Sequence, residues 1–362
     1  MKRVKPAIGI ILLAALFSAF LLPFQSHATT RNAQELCLSF VEEKLQSAGG
    51  VFTNYLPQKE AGQLASGHSV LSESQGLMLS YYARTRNQYM ADMVLGFIQD
   101  RLDTGRILSY RLNEDGRLYP VNAAVDDLRL AGALLEAADV FDRPGYRDQA
   151  AFYAKRLYET NVRGQMLADF YDEQLNKTYG YATLCYSDLY AMRALSAYDS
   201  RWLPVMENMQ AIVLGGYLGD AFPFYQTRFH LESRRYETDN VSMVESLLTA
   251  YHLSAAGSCP KQTPEYLKDA LRSGKLYSEY DLEGNPLSDT ESTAIYALCA
   301  LIGASERDAE LYQAAIGRML LFQVTDPDSP VYGAFADAKT LKAYSFDNLM
   351  ALLALEAGKL FR

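Results

Sequence analysis

Two kinds of helix-like segment alternate along the chain. The first kind has one apolar and one polar face: within 145–161, Tyr146 and Tyr153 share one side, and Arg147 and Lys155 lie on the other. This spacing is typical of a helix with one face in water. The segments with this pattern are 32–46, 87–102, 145–161, 202–214, 263–273 and 306–322. They predict six half-exposed helices.

The second kind of segment is apolar or small on nearly all sides. Clear examples are 131–135, 243–248, 294–302 and 349–355. Helices of this composition are buried all round. Because the buried segments alternate with the half-exposed ones, they predict two concentric rings of helices. The expected fold is therefore all-α, an (α/α)6 barrel made of six helical hairpins.

An acidic residue opens each buried segment. The openers, at intervals of 54, 61, 51, 52 and 56 residues, are Glu73, Asp127, Asp188, Asp239, Glu291 and Asp347. A near-constant period indicates one supersecondary unit used repeatedly. Equivalent helix ends, and the carboxylates they carry, should therefore meet at one face of the barrel. Acidic residues are also common helix caps, and we assign Glu291 and Asp347 to that role.

Turn residues flanked by aromatic residues precede the buried segments. These stretches are 110–119, 170–181, 229–236, 280–287 and 335–344. They predict short β-hairpins. Since all of them connect an outer helix to an inner one, the hairpins should crowd the rim where the inner helices begin. We expect the active site at this rim.

The N-terminal segment has the features of a secretory signal peptide. Basic residues precede the apolar run 7–22, and small residues flank a cleavage site after Ala28. We predict a signal peptide at 1–28 and one domain over 29–362, in a secreted or otherwise extracytoplasmic protein. An uncleaved membrane anchor is the alternative, although the run is short for a span of about 20 residues.

The net charge of the chain limits the classes of partner that it can bind. The net charge is -9 at pH 7, and it becomes -12 once Lys2, Arg3 and Lys5 leave with the signal peptide. No cluster of lysine or arginine remains. We therefore expect no nucleic-acid partner and no stable membrane insertion after cleavage. We expect a monomer.

Cysteine and histidine offer no metal site. The four cysteines, which are too few and too widely spaced for a disulfide framework, are Cys37, Cys185, Cys259 and Cys299. Cys185 and Cys299 fall inside apolar runs and should be buried thiols, and a bridge between two of the four stays open. The histidines of the mature chain, which lack ligand spacing, are His68, His230 and His252. We predict neither a metal nor a cofactor.

Three motifs carry a resemblance to a known family. The segment 72–78, Ser-Glu-Ser-Gln-Gly-Leu-Met, resembles the S-E-x-Q-x-x-G-M signature of glycoside hydrolase family 8. The glutamate of that signature is the family's general acid, so the resemblance implies that Glu73 donates the proton. The likeness extends over about 69–348 and is that of a divergent branch, most like the secreted glycosidases encoded with bacterial exopolysaccharide synthesis systems.

The other two motifs imply the remaining catalytic groups. Segment 126–137 is similar to the family's D-x-D-L-x-I-A-x-x-L-L-x-A helix, whose first aspartate holds the sugar being cleaved. Val125 occupies that first position here, so the role falls to Asp126 or Asp127. Segment 236–240 resembles the Y-D-A-x-R segment that carries the family's base, which implies Asp239 as the base. Asp220 is the competing candidate.

The resemblance implies inversion at the anomeric carbon. Protonated Glu73 would give its proton to the leaving oxygen while Asp239 takes one from an attacking water, with the two carboxyl groups about 6.5–9.5 Å apart. The acid needs a raised pKa, so we expect Glu73 to be partly desolvated or to lie beside another carboxylate, with Asp127 as the expected neighbour. The implied function is a secreted inverting endo-glycosidase acting on a β-linked polysaccharide, such as a bacterial exopolysaccharide or a β-glucan.

The chain is rich in tyrosine, with 26 Tyr and one Trp. Aromatic rings can stack on the apolar faces of sugars, or they can simply pack in the core. The tyrosines that fall on the predicted rim are Tyr119, Tyr181, Tyr186, Tyr225, Tyr236 and Tyr344. As a set they predict a polysaccharide-binding groove. Asp188 is expected either to contact a sugar hydroxyl or to cap its helix.

Two alternative functions remain open. Polysaccharide lyases use the same barrel and need a Tyr/His or Tyr/Arg pair to abstract a proton beside a uronate. A carbohydrate-binding relative without catalysis would also fit the altered base motif. Detection of a new double bond in the product would identify a lyase, and binding without any hydrolysis would identify the third class.

Overall fold

The structure is a computed structural model, which describes residues 27–47, 50–57 and 67–361. The predicted signal peptide lies almost entirely outside these residues. Among the helices of the described ranges, none combines the length and the apolar character that a membrane span requires.

Twelve α-helices form the framework of the described chain. In order they are α1 (His27–Lys44), α2 (Ser72–Arg84), α3 (Gln88–Arg101), α4 (Ala124–Phe141), α5 (Pro144–Asn161), α6 (Leu189–Ser196), α7 (Trp202–Gly215), α8 (Met243–Ala255), α9 (Gln262–Ser273), α10 (Thr293–Ser305), α11 (Ala309–Met319) and α12 (Ser345–Ala357). Within the same ranges, short 3-10 helices span Leu184–Tyr186, Leu320–Phe322 and Gly358–Phe361.

The even-numbered helices form a closed inner ring. Each packs on the next in the order α2, α4, α6, α8, α10 and α12, and α12 packs back on α2. At this closure the Ser74 and Ser345 hydroxyls lie 2.9 Å apart. The inner helices are buried on nearly all sides: in α10 every residue from Thr293 to Ala304 is buried. Their apolar composition predicts this position.

The odd-numbered helices form the outer ring. They include α3 on α2, α5 on α4, α7 on α6 and α11 on α10, while α1 packs on α12. Each keeps one face in water; α3, for example, buries Ala91, Val94, Phe97 and Ile98 and exposes Tyr89. The predicted (α/α)6 barrel is confirmed. The half-exposed segments of the sequence coincide with the outer helices.

Short strands lie in the connections that lead from an outer helix to the next inner helix. They are β1 (Gln46–Ser47), β2 (Gly50–Val51), β3 (Val70–Leu71), β4 (Arg111–Leu112), β5 (Val162–Arg163), β6 (Met166–Leu167), β7 (Tyr171–Asp172), β8 (Lys177–Thr178), β9 (Tyr181–Thr183), β10 (Arg228–His230), β11 (Arg235–Glu237), β12 (Val241–Ser242) and β13 (Glu279–Tyr280). The predicted hairpins form as the antiparallel pairs β7–β8 and β10–β11. The other three predicted stretches close through isolated antiparallel bridges, which join Leu112 to Leu118, Tyr280 to Pro286 and Asp337 to Lys342. In addition, β4 pairs with β3 and β13 pairs with β12, each from a neighbouring connection.

All four cysteines are free thiols. Cys185 and Cys299 are buried, as their apolar surroundings in the sequence predict. Cys37, also buried, lies against Asn348 of α12. The described residues contain no group of three or more His, Cys, Asp or Glu side chains placed to hold a metal ion.

Candidate active site

A cavity of about 570 Å³ opens at the rim where the inner helices begin. Its walls come from the first turns of α2, α4, α8 and α12 and from the connections between the rings. The residues that line it are Leu71, Glu73, Tyr110, Tyr119, Val121, Ala123, Val125, Asp126, Arg129, Phe170, Tyr179, Tyr181, Cys185, Tyr186, Val244, Glu245, Leu248 and Phe346. Its size is that of a typical small-ligand pocket.

Glu73 is the second residue of α2, and its half-buried side chain lines the cavity. Desolvation raises the pKa of its carboxyl group from 4.5 to about 7, and the negative charge of Asp126 adds to the effect. The nearby Arg129 guanidinium acts in the opposite direction but more weakly. A carboxyl group with such a pKa holds its proton near neutral pH, as a general acid must.

Asp126, the third residue of α4, lies beside Glu73. Its carboxylate is 6% exposed and accepts hydrogen bonds from Ser72 Oγ at 2.8 Å and from Arg129 Nη1 at 2.7 Å. Burial raises the pKa of Asp126, and the two donors oppose that rise. The sequence interpretation named Asp127 as the neighbour of Glu73, and this was wrong: the structure puts Asp126 there.

Arg129 follows Asp126 by three residues and lies on the same side of α4. Its side chain is 12% exposed. The aliphatic stem lies against Gly76 of α2, where an added Cβ would come within 3.3 Å of the Arg129 Cγ. Among the described residues that line the cavity, Arg129 carries the only positive charge.

Glu245 brings a carboxyl group from the other side of the ring. It is the third residue of α8, and α8 lies three positions from α2 among six inner helices, so the two helices are opposite each other. Its side chain is half-buried, and desolvation raises its pKa while Arg228 opposes the rise. Ser242 caps this helix by accepting a hydrogen bond from the Glu245 N–H.

One wall of the cavity is aromatic. Phe170 packs edge-on against Tyr179, Tyr181 and Tyr186, with ring centroids 5.7–6.3 Å apart. Arg111 lies over the Tyr119 ring at 4.4 Å. All of these rings are half-buried, so they present faces to the cavity on which sugar rings can stack.

Asp127 lies away from the cavity. Its side chain is buried, and its Oδ2 accepts a hydrogen bond from Asn122 Nδ2 at 2.6 Å. It borders a separate space of about 10 Å³ between α4 and α5, together with Arg156. Burial raises the pKa of Asp127 well above its usual value. The position of Asp127 gives it no contact with a substrate in the main cavity.

The two candidate bases named from the sequence are both exposed. Asp239 lies in the loop between β11 and β12, four residues before α8 begins, and does not line the cavity. Asp220 accepts a hydrogen bond from the Tyr217 hydroxyl at 3.1 Å and is also outside the lining. Asp188 caps α6 by accepting a hydrogen bond from Ala191 N at 2.9 Å.

Of the six predicted tyrosines, three line the cavity and three do not; the latter include Tyr344, directly before α12. Tyr119, Tyr181 and Tyr186 line the cavity. Tyr225 is fully buried beside Tyr217, outside the lining residues. The Tyr236 hydroxyl donates to the Ile212 carbonyl oxygen at 2.6 Å, which holds β11 against α7.

Glu245 and Arg129 were not singled out in the sequence. Glu245 has a recognisable signal, because Ser242 and Glu245 have the spacing of a capping box directly before an apolar run. Arg129 has a weaker one, as a lone charged residue in the otherwise apolar segment 128–135.

Comparison with known proteins places this barrel in a family. A solved structure described as a novel alpha-amylase from Clostridium perfringens is 31% identical and superposes with a TM-score of 0.85, covering 93% of this chain and 99% of the other. The chain belongs to the same family as this amylase. No family model matches the chain.

A solved structure of much lower sequence identity has the same fold. The endoglucanase Cel10 of Klebsiella pneumoniae, a family 8 glycosyl hydrolase, is 12% identical with a TM-score of 0.64, over 91% of this chain and 100% of its own. The expected likeness to family 8 is thus confirmed for the fold.

YdaJ of Bacillus subtilis, named as a candidate lipoprotein, is 24% identical over 291 residues, which are 79% of this chain and 78% of YdaJ.

Proposed function

We propose that the protein is an inverting glycoside hydrolase that cleaves a polysaccharide bound in the rim cavity. The observation that carries this proposal is the pair Glu73 and Glu245, two half-buried carboxyl groups that line one cavity from opposite inner helices. The cavity also offers an aromatic wall for sugar rings. Membership in a family with an amylase supports the same reaction class.

Glu73 is the proposed general acid. It enters the reaction protonated, because desolvation and Asp126 raise its pKa to about 7. As the glycosidic bond breaks, the proton passes to the leaving oxygen, and Glu73 becomes a carboxylate. Asp126, ionised beside it, is the proposed ligand for a hydroxyl of the sugar being cleaved.

Glu245 is the proposed general base. From the opposite side of the cavity it takes a proton from a water molecule, whose oxygen attacks the anomeric carbon on the face away from the leaving group. This single displacement inverts the anomeric configuration. Asp239 remains the alternative base named from the sequence. Asp239 is exposed on a loop outside the cavity lining, so Glu245 is better placed to take a proton from water in the cavity.

Two observations bear on the linkage of the substrate, and they favour different linkages. The amylase relative favours an α-linked glucan, and we make that the first substrate to test. The sequence resemblance favours a β-linked polysaccharide such as a β-glucan or an exopolysaccharide. The predicted signal peptide and the likeness to YdaJ support action outside the cytoplasm.

Product analysis on defined substrates tests the proposal. The purified protein is incubated with amylose, a mixed-linkage β-glucan and a bacterial exopolysaccharide, and proton NMR follows the first-formed anomer. We expect the product to have the configuration opposite to the bond cleaved. Glu73→Gln and Glu245→Gln should each lower kcat by at least about 100-fold, whereas Asp239→Asn should keep kcat within about threefold.

Three results would contradict parts of the proposal. Retention of configuration would rule out the single displacement. A large loss in Asp239→Asn with little loss in Glu245→Gln would return the base to Asp239. Absorbance from an unsaturated product would make the protein a lyase.

A further inference from the structure

The Glu73 and Asp126 carboxyl groups form a close pair at the base of the cavity. The Asp126 carboxylate accepts a hydrogen bond from the backbone N–H of Glu73, and its negative charge raises the cost of ionising the Glu73 carboxyl group. Two carboxyl groups that share a desolvated site ionise in separate steps, so below the raised pKa of Glu73, about 7, the pair holds one proton. The reaction requires that proton on Glu73.

The hydrogen bonds of the pair are unequal. Asp126 accepts from Ser72 Oγ at 2.8 Å, from Arg129 Nη1 at 2.7 Å and from the Glu73 backbone. All three partners are donors, and donors favour the ionised form of a carboxyl group. The Glu73 carboxyl accepts no such hydrogen bond from the described residues. The negative charge therefore stays on Asp126 and the proton stays on Glu73.

Packing and neighbouring charges hold the Arg129 side chain beside Asp126. Its stem packs against Gly76, where even a methyl group would press on the Arg129 Cγ at 3.3 Å. The negative charge of Asp188 faces the guanidinium in addition to Asp126 and Glu73. Other titratable groups around the pair and around Arg129 are Tyr110, Cys185, Tyr186, Glu245 and His252.

We propose that Arg129, with Ser72, holds the shared proton of the pair on Glu73, and so acts as a positioning residue for the catalytic proton. This inference rests on the proposed role of Glu73 as the acid. Arg129 also attracts the ionised form of Glu73. On Glu73 that effect ranks below burial and the charge of Asp126, whereas Asp126 both feels the charge of Arg129 and accepts its hydrogen bond at 2.7 Å.

The test locates the proton without substrate and then measures turnover. Carbon-13 NMR of protein labelled at the glutamate carboxyl carbons, with the Glu73 signal assigned by its loss in Glu73→Gln, reports protonation. At pH 6 we expect Glu73 protonated in the wild type and ionised in Arg129→Met. In that variant kcat should fall at least about tenfold, with KM within about threefold. Arg129→Lys should restore the protonated signal and most of kcat.

Arg156→Met is the matched control. Arg156 forms an equally buried ion pair with Asp103, with side chains 13% and 15% exposed, but lies outside the main cavity. It should lose comparable stability and leave both the Glu73 signal and kcat unchanged. If Arg129→Met does not fold, Ser72→Ala removes one donor and should shift the Glu73 signal in the same direction.

A Glu73 signal that stays protonated at pH 6 in Arg129→Met, or in Ser72→Ala where Arg129→Met does not fold, overturns the inference. Absence of hydrolysis by the wild-type protein on every substrate would instead overturn the proposed function. The NMR result is read without substrate, so the two failures are distinct.

Discussion

Replacing Glu73 with glutamine should stabilise the protein at alkaline pH. The carboxyl group of Glu73 has its pKa raised from 4.5 to about 7 by burial and by Asp126. The folded state thus binds the proton more tightly than the unfolded chain does. Below pH 4.5 the group is protonated in both states and costs nothing. Above pH 7 it is ionised in both states, and the folded state bears the full cost of a desolvated charge.

The size of this cost follows from the pKa values. At about 1.4 kcal/mol per pKa unit, a rise from 4.5 to about 7 costs at most about 3.5 kcal/mol of folding free energy. Glu73 is only half-buried, and cavity water screens its charge, so we expect about 1–2 kcal/mol. Glutamine has nearly the same shape and never ionises. The variant should therefore gain this amount at pH 8.5 and almost nothing at pH 4.5.

Urea unfolding of both proteins at pH 4.5, 6 and 8.5 measures the difference. Asp239→Asn is the control, since it removes a carboxyl group that is exposed and lies outside the cavity lining. If Glu73→Gln is equally stable relative to wild type at pH 4.5 and 8.5, or is less stable at 8.5, then Glu73 does not have the raised pKa on which the mechanism depends.

Three further predictions concern activity. Hydrolysis should decline as pH rises through about 7, because Glu73 loses its proton there; a pH profile of kcat/KM that is flat from 6 to 9 would contradict this. Tyr119→Ala should raise KM about 3- to 10-fold with kcat nearly unchanged, since it removes about 0.5–1.5 kcal/mol of ring contact; steady-state kinetics would expose the reverse pattern. Asp127→Asn should keep kcat within about threefold, as the side chain faces α5 rather than the substrate; a hundredfold loss would restore it to the catalytic set.

The fold was predictable because the spacing of apolar and polar residues along a helix shows which of its faces are buried. The segments 202–214 and 263–273, chosen for one polar face, correspond to Trp202–Gly215 and Gln262–Ser273. The inner helices were recognisable because they lack a polar face altogether. Strand pairing was less predictable: β4 pairs with β3 across a gap of about 40 residues, and local turn chemistry carries no information on such a partner.

The site was predictable only where helix register did not matter. Successive residues of a helix point about 100° apart, so the sequence could not decide which of Asp126 and Asp127 faces inward. The structure turns Asp126 to the cavity and Asp127 to α5. The proposed base was missed for a related reason: Asp239 stands before the two residues of β12, and α8 begins only at Met243. The acid in its first turn is therefore Glu245.

The closure of the inner ring also constrains how the chain reaches its native state. The Ser74–Ser345 contact joins residues 271 positions apart, and Gln34 of α1 reaches Glu356 of α12 across 322 positions. Contacts so remote in sequence carry the highest loop-closure cost and form late. Until α12 is synthesised, α2 and α10 expose the apolar sides that α12 covers. Such exposed apolar surface is prone to aggregation during translation. Among the described helices, α12 is thus the one that closes the inner ring and joins its first and fifth members.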